Sequence, residues 1–200
     1  MNSLEKAREI FQSHEGMLRT KQVLELGIHP RTLYQLRDKG EVIELSRGLY
    51  RLNNMELLAE PDLVVVAKKI PKAIMCLITA LSLHENTTQI PSQVYLAISS
   101  EQTYPIKLDY PPIKVFHFSA KSFNEGIEKI RINEVEIKVY SLSKTIVDCF
   151  KYRNKIGIDV AIEALKLGRE NKKVLIKDLL YYARLCRVEK VMMPYLEAIG

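Results

Sequence analysis

Apolar residues open the chain at three- and four-residue spacing. Leu4, Ala7, Ile10 and Phe11 share one face while Glu5 and Glu9 point away, which predicts a short amphipathic helix capped by Ser3. After a turn at Glu15 and Gly16, the pair Met17-Leu18 is long enough for one strand. Thr20 then caps a second helix that turns Val23, Leu24 and Leu26 inward and stops at Gly27. Pro30 suits the first position of a third helix, where its missing N–H would have had no intrahelical partner. From Pro30 to Lys39 the buried face is Leu33 and Leu36, which leaves Arg31, Thr32, Tyr34, Gln35 and Arg37 outward. Gly40 closes that helix, and Val42–Leu45 and Leu49–Leu52 form two apolar-rich runs around Ser46-Arg47-Gly48, a hairpin with an arginine at its tip.

Beyond Asn53-Asn54 the pattern changes. Pro61 starts a helix to Ile70 with Leu63, Val64, Ala67 and Ile70 on its apolar face, a natural tether between two domains. A short strand at Ala73–Cys76, a helix to His84, and strands at Val94–Ile98, Lys114–Phe118 and Val135–Tyr140 follow. The proline-rich stretch Tyr104–Pro112 reads as a long loop. From Ser141 the spacing turns helical, near Leu142–Phe150, Ile158–Leu167, Val174–Leu185 and Glu189–Ile199. Strands followed by helices predict an α+β fold: a winged helix-turn-helix over residues 1–55, then a mixed domain over 56–200 ending in a run of helices.

Composition narrows the class. The 200 residues, 47% hydrophobic and 27% charged with eight glycines and eight prolines, describe an ordinary globular protein. Three dispersed cysteines, Cys76, Cys149 and Cys186, offer neither a disulfide framework nor a CxxC zinc site, which fits a reducing cytoplasm. Neither a signal peptide nor a membrane span is expected, since Glu5 and Glu9 interrupt the first apolar positions and no later window is long and apolar enough. The net charge of +6 suits a polyanionic partner. Residues 151–200 carry eleven Lys and Arg against six Asp and Glu, while residues 1–52 carry nine against seven, so placement matters more than the sum.

A helix-turn-helix followed at once by a hairpin is the winged arrangement, in which the third helix enters the major groove and the wing touches the DNA backbone or the minor groove. On that reading Arg31, Thr32, Gln35 and Arg37 read bases, with Tyr34 beside them, although an aromatic on a short helix is more often core. Lys39, Arg47 and Arg51 grip phosphates. Each of these charges taken singly is also what a solvated helix face or hairpin tip shows, so the weight lies on the constellation. His14 and His29 fall in turns and carry no expected chemistry.

The run GMLRTKQVLELGIHPRTLYQLRDKGEVIELSRGLYRL, Gly16 to Leu52, resembles the N-terminal winged domain of AbiEi-type antitoxins, transcriptional regulators of type IV abortive-infection toxin–antitoxin systems. Its most specific part is the hairpin RGLYRL, Arg47 to Leu52, behind the helix TLYQLRDKGEV. Further resemblance lies at CLITALSLHE (Cys76 to Glu85), VYLAI (Val94 to Ile98) and SKTIVDC (Ser143 to Cys149). The lead Ser141-Leu-Ser-Lys144 departs from the more acidic, arginine-bearing lead such proteins often show. The resemblance implies binding to inverted repeats in the protein's own promoter, and a body that neutralises a nucleotidyltransferase toxin. No Gly-Ser followed by DxD appears here, so the chain does not look like the toxin itself.

Other chemistry finds little support. There is no HExxH, GxSxG or Walker loop, and neither a catalytic residue, a metal site nor a cofactor is expected. Asp109 with Glu136-Ile137-Lys138 could hold Mg²⁺ in a nuclease-like site, yet the alternation of Val135, Ile137 and Val139 with charged residues is what any half-buried strand shows. His84-Glu85 reads as a helix end, His117 as a strand residue, and Met192-Met193 as helix packing. Lys166, Arg169, Lys172, Lys173 and Lys177 form a possible second basic surface, for phosphates or an acidic partner, or simply a solvated face. The rivals to a repressor are thus a winged-helix-guided nuclease and a protein-interaction module without DNA binding.

Overall fold

The computed structural model describes residues 2–102 and 107–199. Tyr104 and Pro105, at the start of the expected long loop, lie outside the described residues. The architecture is mixed α and β, with two sheets. The chain packs as two compact units: Met1–Pro71 with Lys107–Pro111 and Arg131–Glu136, and Lys72–Ile106 with Pro112–Ile130 and Ile137–Gly200. The helix after Pro61 therefore counts with the N-terminal unit, whereas the sequence reading starts its second domain at residue 56.

In the first unit, helix α1 (Ser3–Ser13) is capped by Asn2 rather than Ser3. The Asn2 side chain accepts from the Leu4 N–H at 3.4 Å, and the Glu5 carboxylate returns to the Asn2 N–H at 2.9 Å. Glu5 stands three residues after Asn2 and completes a capping box, while Ser3 has Lys6 at that place. Strand β1 (Met17–Arg19), helices α2 (Thr20–Glu25) and α3 (Pro30–Asp38), strands β2 (Val42–Ser46) and β3 (Leu49–Leu52), and helix α4 (Pro61–Lys69) follow. β3 is the central strand of an antiparallel sheet ordered β1-β3-β2. Ala7, Phe11, Leu18, Val23, Ile28, Leu33, Leu36, Val42, Tyr50 and Leu52 form its core. Burying each large apolar side chain there contributes about 1.5–3 kcal/mol.

Leu24, expected inside, is exposed, because neighbouring residues on a helix point about 100° apart and Val23 takes the inward direction. Arg8 clamps α1 to the turn between α3 and β2, with Nε on Glu41 Oε2 at 2.5 Å and Nη2 on Oε1 at 3.0 Å.

The second unit holds β4 (Ile74–Met75), α5 (Leu77–Leu83), β5 (Val94–Ser99), β6 (Ile113–Phe118), α6 (Ala120–Phe123), β7 (Ile127–Ile132), β8 (Val135–Tyr140), α7 (Leu142–Lys151), α8 (Arg153–Ile156), α9 (Ile158–Glu170), α10 (Ile176–Cys186) and α11 (Glu189–Ile199). The tip of the β7–β8 hairpin, Arg131–Glu136, groups with the first unit. Sheet order is β6-β5-β4-β8-β7, with β4 antiparallel to β5 and parallel to β8, and β5 parallel to β6. The sequence reading missed α6, α8 and β7. β7 is an edge strand whose isoleucines at 127, 130 and 132 break strict alternation, so its period does not announce a strand.

α7 is the central helix, packed by α5, α9 and α10. Within it Lys144 and Asp148 form a fully buried ion pair, Nζ to Oδ2 at 2.5 Å. The ammonium also stands 4.4 Å from the Tyr140 ring centre and 4.9 Å from that of Phe118, and the Cys186 thiol donates to Asp148 Oδ1 at 3.5 Å. Burial pushes the Asp148 carboxyl above its ordinary value, against the pull of Lys144. Gly126, at φ +70°, lies against this pair; a Cβ there would come within 2.9 Å of the Tyr182 hydroxyl and 3.0 Å of Lys144 Cβ. All three cysteines are free and buried.

Candidate nucleic-acid interface

Helix α3 starts as its sequence predicts. Pro30 occupies the first turn, and the His29 ring, at the N-cap, accepts from the Arg31 N–H at 3.2 Å. Thr32, Leu33 and Leu36 are buried. With about 100° per residue, the opposite face holds Arg31, Tyr34, Gln35 and Asp38, at i, i+3, i+4 and i+7, all exposed. Arg37 stands on the flank. Its guanidinium lies 4.9 Å from the Tyr34 ring centre, and its Nε and Nη2 donate to Asp38 Oδ1 at 3.2 and 3.0 Å. That edge of Arg37 is thus already occupied, whereas the Arg31 side chain has no hydrogen-bond partner among the described residues. Asp38, which the sequence reading left out, both sits on the exposed stripe and orients Arg37.

The β2–β3 hairpin is fastened at its tip. Gly48 N–H donates to Glu44 Oε1 at 2.7 Å, and the Gly48 carbonyl accepts from the Thr20 N–H at 3.0 Å and from its hydroxyl at 3.4 Å. Lys69 of α4 donates through Nζ to the Arg47 carbonyl. Gly48 adopts φ +72°, a region costly for other residues, and a Cβ there would meet Thr20 Oγ1 at 3.0 Å. The Arg47 backbone is therefore held by α2 and α4 while its side chain stays exposed. Thr20 serves the hairpin and not the cap of α2, whose N-cap position is Arg19. Thr20 and Lys69 were not legible as wing supports, since their partners are 28 and 22 residues away in the chain.

Two expected contact residues lie elsewhere. Thr32 is 9% exposed and Arg51 is 6% exposed. Arg51 donates through Nη2 to the Glu56 carbonyl, and burial lowers its pKa from the ordinary arginine value. The reason is topological: β3 is the middle strand, all four of its residues are buried, and no outward face remains for an arginine to use. Lys39, at the C-cap of α3, is exposed as expected. In the second unit Lys166, Lys172 and Lys177 are exposed and Arg169 is half-buried, along the end of α9, the turn after it and the start of α10. Lys173 Nζ instead caps the end of α5, donating to the carbonyls of His84 and Glu85 at 2.8 and 3.0 Å.

Catalytic arrangements gain no support from the geometry. Among the described residues no group of three or more His, Cys, Asp or Glu is placed to hold a metal ion. Val135, Ile137 and Val139 are buried, while Glu136 is exposed and Lys138 half-buried, the alternation of a strand with one covered face. His84 Nε2 lies 2.8 Å from the Tyr140 carbonyl at the C-cap of α5, a structural position. His117 is exposed on β6. Met192 is buried in the helical core. No helix among the described residues is long and apolar enough to cross a membrane.

Residues 5–53 match the family described as transcriptional regulator, AbiEi antitoxin. No curated protein matches the chain. The matched segment runs from α1 to just past β3, so it contains the exposed stripe of α3 and the fastened hairpin. Over residues 5–53, and there alone, this chain is thus similar to the AbiEi antitoxin transcriptional regulators.

Proposed function

We propose that the first unit is a winged helix-turn-helix that binds duplex DNA in a sequence-specific way, with α3 in the major groove and the β2–β3 hairpin as the wing. One observation carries this reading: Arg31, Tyr34 and Gln35 stand together on the solvent face of α3, and the next element presents Arg47 on a hairpin tip anchored from two sides. Arg31 and Gln35 are the base readers, since arginine suits guanine and glutamine suits adenine in the major groove. Arg37, Lys39 and Arg47 are backbone contacts. Thr32 and Arg51 drop out of the contact set because they are buried.

In the cell this activity represses the protein's own promoter through inverted repeats, and the second unit counteracts a nucleotidyltransferase toxin; the AbiEi match over residues 5–53 supports the regulator role, and the role of the second unit rests on the sequence resemblance. Lys166, Arg169, Lys172 and Lys177 form the basic face through which the second unit meets its partner. The test is binding of the full chain to the DNA upstream of its own coding sequence across a salt series, with Mg²⁺ present and the DNA checked for cuts. Tight, sequence-preferring, salt-sensitive binding without cleavage is expected. No binding at low salt would sink the reading in favour of a protein-interaction module, and cleavage lost in Glu136→Ala would favour a nuclease.

A further inference from the structure

Beside the hairpin tip the first unit is hollowed into a notch of about 640 Å³. Arg19, Lys21, Arg47, Lys69 and Lys107 line it, from the end of β1, the first turn of α2, the wing tip, the last turn of α4 and the segment Lys107–Pro111. Two carboxylates, Glu44 and Asp109, reach the same space. Glu44 is already committed to the Gly48 N–H and the Tyr50 hydroxyl. Five cations gathered around one hollow repel one another, and that repulsion is relieved when an anion enters. Tyr34 of α3 lines the notch as well, so it runs on from the stripe that faces DNA.

We propose that this notch seats a run of DNA backbone phosphates flanking the groove that α3 enters. The inference rests on the winged-helix reading and adds to it a phosphate site that extends beyond α3 and the wing tip, to Arg19, Lys21, Lys69 and Lys107. Among the described residues the donors are available. Lys69 spends one proton on the Arg47 carbonyl and keeps two. Arg19 turns Nε toward Gln22 Oε1 at 3.3 Å and keeps both terminal amino groups. Lys21 is 82% exposed and only 3.7 Å from Glu25, a loose surface pair. The site is also preorganised, since Thr20 and Lys69 hold the wing tip before any DNA arrives. Little in the linear order groups these cations: only Arg19 and Lys21 are near neighbours, and the five come from four stretches of chain.

The experiment measures binding of the full chain to several duplex DNAs of different sequence by fluorescence anisotropy across a salt series, for the wild-type protein and for Lys21→Gln/Lys107→Gln. Both side chains are at the surface, and matching thermal melts confirm that the variant folds. Two lost phosphate contacts should flatten the slope of log Kobs against log[salt] by about 2 and weaken binding by the same factor whatever the DNA sequence. An unchanged slope overturns the notch as a phosphate site and leaves the reading stripe of α3 standing. A loss that depends on DNA sequence overturns it too, because phosphates carry no sequence information. Failure of the wild-type protein to bind any duplex at low salt overturns both the notch and the winged-helix reading.

Discussion

Lys144 and Asp148 show what single residues decide in this protein. Each is fully buried, so each charge is tolerable only because the other stands 2.5 Å away. Asp148→Asn or Lys144→Met alone strands a charge and should cost about 3–5 kcal/mol in urea denaturation. Lys144→Met/Asp148→Leu should cost far less; a double variant as unstable as the singles would mean that this packing cannot close without the charges. On the DNA side Arg31 is the counterpart. Its side chain is exposed and has no hydrogen-bond partner among the described residues, so Arg31→Ala should weaken binding by ~1–3 kcal/mol and relax preference at a single base position. A uniform loss across all sequences would reassign Arg31 to the backbone.

Short elements here borrow their geometry from distant residues. The wing is an example: its tip is set by Thr20 and Lys69 as much as by its own turn. Gly48→Ala forces a Cβ into a φ of +72° and toward Thr20 Oγ1, so it should destabilise the first unit by more than about 1 kcal/mol. DNA binding should weaken with it while sequence preference stays put, which a comparison of melting and of binding to several duplexes would read. α1 depends on its ends instead. Asn2→Ala removes the side-chain half of a capping box and should cost about 1 kcal/mol of stability.

At the scale of the molecule, each unit closes its own apolar core. The Arg8–Glu41 clamp makes the first of these sensitive to acid. Its hydrogen bond to Arg8 holds the Glu41 carboxyl below the ordinary value. A depressed carboxylate contributes stability above its unfolded value and loses it as pH falls through the lower, folded one. The gap in Tm between the wild-type protein and Arg8→Gln should therefore be widest near neutrality and close in acid; a constant gap would mean that Arg8 acts through packing alone. Much of this was legible in the chain itself. α1, α3 and the hairpin each repeat their pattern within a dozen residues, so local spacing alone marks Phe11, Leu33 and Leu36 as core and Arg31, Gln35 and Arg47 as exposed. That local chemistry is also what carries the likeness to AbiEi antitoxins over residues 5–53. Tertiary structure alone decided that β3 lies in the middle of its sheet and buries Arg51, that Lys144 and Asp148 close a core, and that five scattered cations meet at one notch. The physical reason is the same in each case: the periodicity of one element says which way its side chains point, but only long-range packing says what stands opposite them.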